Sequence, residues 1–218
     1  MRSVAKKILP KGVFRALKLL AEEGAIARRH RKGLKDARAY KGKRNLKLNV
    51  GVGPNLKPGW VNIDFEAANA LSLDMREKMP FDDNSCSMIY SEHFFEHLEH
   101  PVDTGHFLSE SLRILEPGGV WTAGVPDTEW PLKDYAGVAE EDYFVHGPVW
   151  HPPECKTKMD HINFHFRQRG QHKFAWDFET FEAFLRDAGF RNVRRRKFDP
   201  SIDYSFRELG TLYMEAVK

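Results

Sequence analysis

Cysteine is nearly absent from these 218 residues: Cys86 and Cys155 are the only two, too few for a disulfide framework. No apolar run approaches the roughly 18 residues that would suggest a membrane-spanning helix, and the first residues do not resemble a signal peptide. The expectation is a soluble, cytoplasmic chain with free thiols. His146, His151, Cys155 and His161 could together hold zinc, but their spacing matches no compact zinc pattern, so no metal site is expected. The dinucleotide-binding fingerprint is also missing. Gly51-Val52-Gly53 lacks the third glycine, and the next strand-tip acid, Asp64, comes 13 positions after Gly51 where that motif needs about 20. Pro54 and Pro58-Gly59 leave no room for a full crossover helix between two parallel strands.

What is present is organised around residues 46–65, LKLNVGVGPNLKPGWVNIDF. Leu46, Leu48 and Val50 alternate with polar residues and end at a glycine turn, which lets a strand stop abruptly and its backbone approach a nucleotide-like ligand. A second apolar run, Trp60–Ile63, ends at Asp64, whose carboxylate is suited to accept hydrogen bonds from ribose hydroxyls. With 41% hydrophobic residues the chain can fill one core and is short for two large domains.

Charge is divided unevenly. Residues 1–47 carry 16 Lys/Arg against 3 acids, and the remainder carries 18 against 28. Residues 1–45 therefore read as a basic helical extension. Within it, Val13, Phe14, Leu17, Leu20 and Ala21 predict an amphipathic helix over 11–24, stopping near Gly24 and covering the sheet face that the missing crossover helix leaves bare. The following charge run reads as a solvated linker, or as a surface for an anionic membrane or an acidic partner; nucleic acid is the lesser alternative.

Further along, Asp74-Met75 forms a third strand tip, and Cys86–Tyr90 reads as a buried strand leading into Ser91-Glu92-His93-Phe94-Phe95-Glu96-His97. Residues 105–115 predict a helix, Val120–Val125 a strand, residues 178–188 a helix, and Val193–Phe198 and Leu209–Val217 two closing strands. Residues 128–175, with five histidines and two tryptophans, show little periodicity and read as a long functional loop. If the turn after the fourth strand is helical, His93, Glu96 and His97 share one face as ligands or bases. The alternative is a structural His97 beside a solvated Glu96.

NVGVGPNLKPGWVNID, LDMREKMPFDDNS, MIYSEHFFEHL, LRILEPGGVWTAGVPD, DFETFEAFLRDAGF and LGTLYMEAVK, in this order, resemble the class I S-adenosylmethionine-dependent methyltransferases, in particular small methyltransferase domains of bacterial glycan and secondary-metabolite pathways. The resemblance covers residues 46–218. It implies an α/β, Rossmann-like, seven-stranded, mostly parallel sheet with an antiparallel last strand, helices on both faces and the basic helical extension in front. It implies S-adenosylmethionine as cofactor, S-adenosylhomocysteine as product, and a cofactor site of Asn49, Gly51, Gly53, Asp64, Asp74, Met75 and Ser91, with Asn49 where relatives often carry Asp. Residues 128–175 correspond to an acceptor lid. His93, Glu96, His97 and His161 are the candidate catalytic residues; His165 is a further candidate base, and Arg167 or Arg169 a contact for acceptor charge. Related O-methyltransferases place a divalent metal on a Glu-x-x-Glu-His group, where this chain has His for the first Glu, so a metal is not expected. The implied reaction is O-methylation of a sugar, a glycan intermediate or a small hydroxyl-bearing metabolite. The alternatives are RNA methylation guided by the basic arm and a catalytically silent binding module. A location on the inner membrane face is a further expectation from the arm.

Overall fold

The computed structural model describes residues 10–218; the part of the basic extension at 1–9 lies outside the described residues. Six strands form one sheet: β1 (Leu46–Val50), β2 (Val61–Ile63), β3 (Cys86–Glu92), β4 (Leu115–Pro126), β5 (Arg191–Arg195) and β6 (Thr211–Val217), in the order β2-β1-β3-β4-β6-β5. The first four are parallel, and β6 runs antiparallel between β4 and β5. One strand fewer forms than expected. Its place beside β2 is taken by a single parallel bridge, Ile63 to Leu71, because Asp74 turns the chain back on itself through Arg76 almost at once. Charged Arg191, Arg194 and Arg195 line the outer strand β5, which blunts that edge against pairing with other chains.

The helices are α1 (Lys11–Asp36), α2 (Val102–Ile114), α3 (Glu129–Tyr135), α4 (Tyr143–His146), α5 (Lys158–Arg167) and α6 (Phe178–Asp187). The core centres on Phe95, which stacks on Phe181 at 5.2 Å and packs edgewise on Trp121 at 5.7 Å, so the turn after β3 is anchored by its aromatic residue.

Two expectations need correction. The helix of the basic arm passes through Gly24 and consumes the supposed linker, since one interior glycine costs only about 1 kcal/mol among good helix formers. Its docking face is its second half, not residues 11–24. Gly33 lies so close to the backbone of Ser72 that a Cβ there would stand 2.2 Å from the Ser72 carbonyl oxygen, and Leu34 packs on the core. The first half projects, leaving Leu17 51% and Leu20 69% exposed, and therefore does not cover the sheet. Residues 128–175 are also not a bare loop, since α3, α4 and α5 form within them. The start of α5 is fixed by Thr157, whose hydroxyl accepts from the Asp160 N–H while the Asp160 carboxylate accepts from the Thr157 N–H. Among the described residues no helix is long and apolar enough to cross a membrane.

Candidate active site

The carboxyl ends of β1 and β3 build a crevice of about 30 Å³ lined by Asn49, Gly51, Asn55, Tyr90, Glu92 and Arg207, among others. Asn49 is buried and ties the short β1–β2 connection together, its amide donating to the Asn55 carbonyl (2.9 Å) and to Asn62 Oδ1 (3.0 Å). This explains how the turn holds without a crossover helix. Gly51 and Gly53 both have positive φ, yet they serve different ends. A Cβ on Gly51 would strike the Phe94 side chain at 2.7 Å, so that glycine is required by packing, whereas a Cβ on Gly53 would meet nothing within 4 Å, so only its positive φ calls for glycine.

Asp64 stands at the tip of β2. Its carboxylate accepts from the N–H groups of Gly53 (3.0 Å), Glu66 (2.7 Å) and Ala67 (3.1 Å), which fixes its orientation and leaves one of about four lone-pair sites for a ribose hydroxyl. Asp74 is differently employed. Arg76 grips it with two N–H groups (3.0 and 2.8 Å) and also reaches Glu23 of α1, while the Asp74 N–H donates to His30 Nδ1 (3.0 Å). Although burial opposes it, the Arg76 hydrogen bonds hold the Asp74 carboxyl below the usual carboxylate range. Met75 is core, and Ser91 is buried within β3 between Val50 and Ala123.

These residues fit S-adenosylmethionine at its ribose and methionine end. Asp64, oriented by three N–H groups, stands at the tip of β2 beside the crevice, and Tyr90, whose hydroxyl is buried without a hydrogen-bond partner, lines it. At the adenine end, Asp74 is committed to Arg76 and α1.

Beyond β3 the chain turns through a 3-10 segment, Phe95–His97. His93 adopts a left-handed conformation (φ 51°), a strained geometry that concentrates at functional sites. Its N–H donates to the Gly124 carbonyl (2.8 Å), and its Nε2 lies 2.9 Å from Thr211 Oγ1. Burial, with the Arg207 charge adding, pushes His93 well below the ordinary imidazole range, so it is neutral. Glu96 is not a solvated charge: it is 2% exposed, and neither carboxylate oxygen has a partner. Burial pushes it up to about 8. Its Oε1 lies 3.7 Å from His93 Nδ1 and 3.8 Å from His97 Nε2, so it stands between a cleft-facing imidazole and a partly exposed one. His97 Nδ1–H donates to the Gln171 carbonyl (3.1 Å), which leaves Nε2 as the basic nitrogen directed at Glu96.

A second cleft, of about 250 Å³, opens at His93. Four imidazoles line it, from His93, His151, His165 and His172, with Trp150 and Arg207. Burial lowers His165 to about 3 and His172 to about 4, so both are neutral acceptors or donors at physiological pH. His172 donates its Nδ1–H to the His165 carbonyl (2.9 Å), and the buried His165 Nε2 has no partner. The candidate base His161 lies outside this lining. Arg167 does not line the cleft, and Arg169 pairs with Glu154.

Sequence reading missed Arg207. It lies in the connection between β5 and β6, donates to the Glu92 carbonyl (2.8 Å), and lines both the crevice and the cleft. The only signal for it was the aromatic pair Tyr204 and Phe206 just before it in the connection.

Residues 48–122, which span β1 into β4, match a family described as "Methyltransferase domain". No curated protein sequence matches the chain. Among solved structures the chain is similar to a SAM dependent methyltransferase from Archaeoglobus fulgidus (16% identity, 85% of this chain and 92% of that one, TM-score 0.50). It is also similar to a SAM-dependent methyltransferase, possible histamine N-methyltransferase, from Thermotoga maritima (15%, 92% and 97%, 0.48). A third is phosphoethanolamine N-methyltransferase 2 from Haemonchus contortus in complex with S-adenosyl-L-methionine (15%, 86% and 52%, 0.47). The fold is thus that of S-adenosylmethionine-dependent methyltransferases, and the strands that build the crevice carry the methyltransferase-domain match.

Proposed function

We propose that this protein transfers a methyl group from S-adenosylmethionine to a hydroxyl of a small polar acceptor, such as a sugar or glycan intermediate, bound in the histidine-lined cleft. The observation that carries the reading is the shared wall. Glu92 lines the crevice, the next residue His93 lines the cleft, and Arg207 lines both. When bound, the cofactor supplies a methyl group on a sulfonium, ready for in-line displacement. Gly53, Asp64 and Tyr90 would hold it.

The chain's own task is then to align the acceptor oxygen and take its proton. His93 is neutral, faces the cleft and can accept that proton at a ring nitrogen. Glu96 behind it offers an onward step towards His97 and solvent. His165 and His172, neutral and partly unpartnered, suit the hydroxyls of a polyol. The projecting half of α1, apolar at Val13, Leu17 and Leu20 and basic along its flanks, suits attachment to an anionic membrane surface, which would bring the domain to lipid-linked acceptors.

The test is transfer of a labelled methyl group to a panel of sugars and hydroxylated metabolites, compared with RNA. Turnover should be confined to the small acceptors and be abolished or cut at least a hundredfold in His93→Ala, with cofactor affinity retained. Because His93 is held below its ordinary range, turnover should stay flat on acidification through pH 6.5. RNA as the labelled product, or full turnover in His93→Ala, overturns the reading.

A further inference from the structure

The lid contains a cluster that the methyl-transfer reading does not use. His151, Cys155 and His161 are far from any compact zinc spacing, yet one ligand atom from each lies within 4.8 Å of the others. The two imidazoles approach most closely, with their Nδ1 atoms 2.8 Å apart and their rings nearly parallel, 24° between planes. Two facing ring nitrogens have two stable arrangements: one carries a proton for the other, or both present lone pairs to a cation.

The supports are rigid. His161 lies in the first turn of α5, held by the reciprocal Thr157–Asp160 cap, and its N–H donates to the Thr157 carbonyl (3.1 Å). Cys155 follows a turn closed by its own N–H on the Pro152 carbonyl (3.0 Å). His151 follows the 3-10 turn Gly147–Trp150, and its Nε2 lies 3.4 Å from the hydroxyl of the fully buried Tyr143. A metal-bound imidazole commonly has such a partner on its second nitrogen, which fixes the tautomer and aims the first.

The geometry points to a zinc-class divalent ion bound by His151, Cys155 and His161, which clamps the lid at the mouth of the acceptor cleft. Two imidazoles and a thiolate are a tetrahedral zinc set with one position left for water. Binding releases the thiol proton, while the proton the two imidazoles share moves to the far nitrogen of the ring that carried it, so that both rings stay neutral. The clamp has a definite mechanical reach. It joins the turn that carries Trp150 into the cleft to the helix that carries His165 into it, one helical turn beyond His161. Two walls of the cleft would thus be locked at a set separation. The inference takes from the proposed function only the name of the cleft, and its test reads metal, not turnover.

The metal-stripped full-length protein is titrated with cobalt(II) as a spectroscopic stand-in for zinc. The expected result is one equivalent bound, a thiolate-to-cobalt charge-transfer band, visible bands of tetrahedral intensity, and displacement by zinc. Cys155→Ser should remove the charge-transfer band, and His161→Ala should weaken binding at least tenfold. Glu96→Gln, which would disable the only other three-ligand group found among the described residues (Glu96, His97 and His172), should change neither. Should a variant misfold, alkylation of the wild type decides: zinc should shield Cys155, the one partly exposed thiol, while Cys86 stays buried throughout. Absence of the thiolate band in the wild type, its survival in Cys155→Ser, its loss in Glu96→Gln, or unshielded Cys155 with zinc bound overturns the proposal.

Discussion

Replacing Glu96 by glutamine removes a charge that the folded protein resists and keeps nearly the same shape. Burial raises the carboxyl to about 8 from an ordinary value of 4.5, so in the native state it holds its proton well into the neutral range while the unfolded chain has lost it. The sign follows directly. For an acid raised on folding, the native state is least penalised below the unfolded value and loses stability as pH climbs from about 4.5 to about 8, after which both states are ionised. At 1.36 kcal/mol for each unit of difference, wild type should lose about 3 kcal/mol between pH 5.5 and 8.5 through this group alone. Glutamine has no proton to lose and contributes no slope. Urea unfolding of wild type and Glu96→Gln at pH 5.5, 7.0 and 8.5 reads the term, because titrating groups that do not touch Glu96 cancel in the difference. The variant should gain on wild type by about 3 kcal/mol across that range. Parallel pH profiles would refute the argument, showing Glu96 to be ionised and compensated in the native state.

Two further outcomes follow from the same geometry. Asp64→Ala deletes an oriented carboxylate together with its bonds to three backbone N–H groups, so the dissociation constant for S-adenosylmethionine should rise at least tenfold, as charged hydrogen bonds of about 1.5–3 kcal/mol imply; unchanged binding by calorimetry would remove Asp64 from the site. Gly33→Ala pushes a methyl group against the Ser72 backbone and should destabilise the protein by about 1–3 kcal/mol in urea unfolding, whereas Gly12→Ala on the projecting half of α1 should not.

Much of the sheet was legible because Leu48, Val50, Ile63, Ile89 and Ala123 obey strand periodicities that burial enforces, and because Gly51-Val52-Gly53 and Asp64 mark strand ends whatever they bind. The length of α1 was not, since Gly24 is only a weak stop and the docking contact, Gly33 on Ser72, joins residues far apart in sequence. The helices within residues 128–175 were hidden by mixed composition, although Thr157 with Asp160 three residues on was a readable start signal for α5. The site divides the same way. His93, Glu96 and His97 are consecutive enough to be noticed, but nothing local says that Phe95, sinking into the aromatic core, takes Glu96 down with it. His165, His172 and Arg207 reach the same cleft from elements that only the finished fold brings together. The group of His151, Cys155 and His161 makes the same point: its sequence spacing is not compact, while a turn and a capped helix bring the three side chains together regardless.

The position of β6 has a consequence for how the chain acquires its structure. This strand, latest in the described sequence, is interior to the sheet: its Met214 carbonyl accepts from Thr122 of β4 across 92 residues, and β5 has no other strand to join. Nearly half of the sheet's ladder therefore waits on a long-range closure, which loop entropy makes slow. Until it occurs, the apolar strand Val120–Val125 has one bare edge, and nascent or heat-stressed chains can pair there with one another. The kinetic weak point of the protein is thus β4, a strand that in the native state is among its most deeply enclosed.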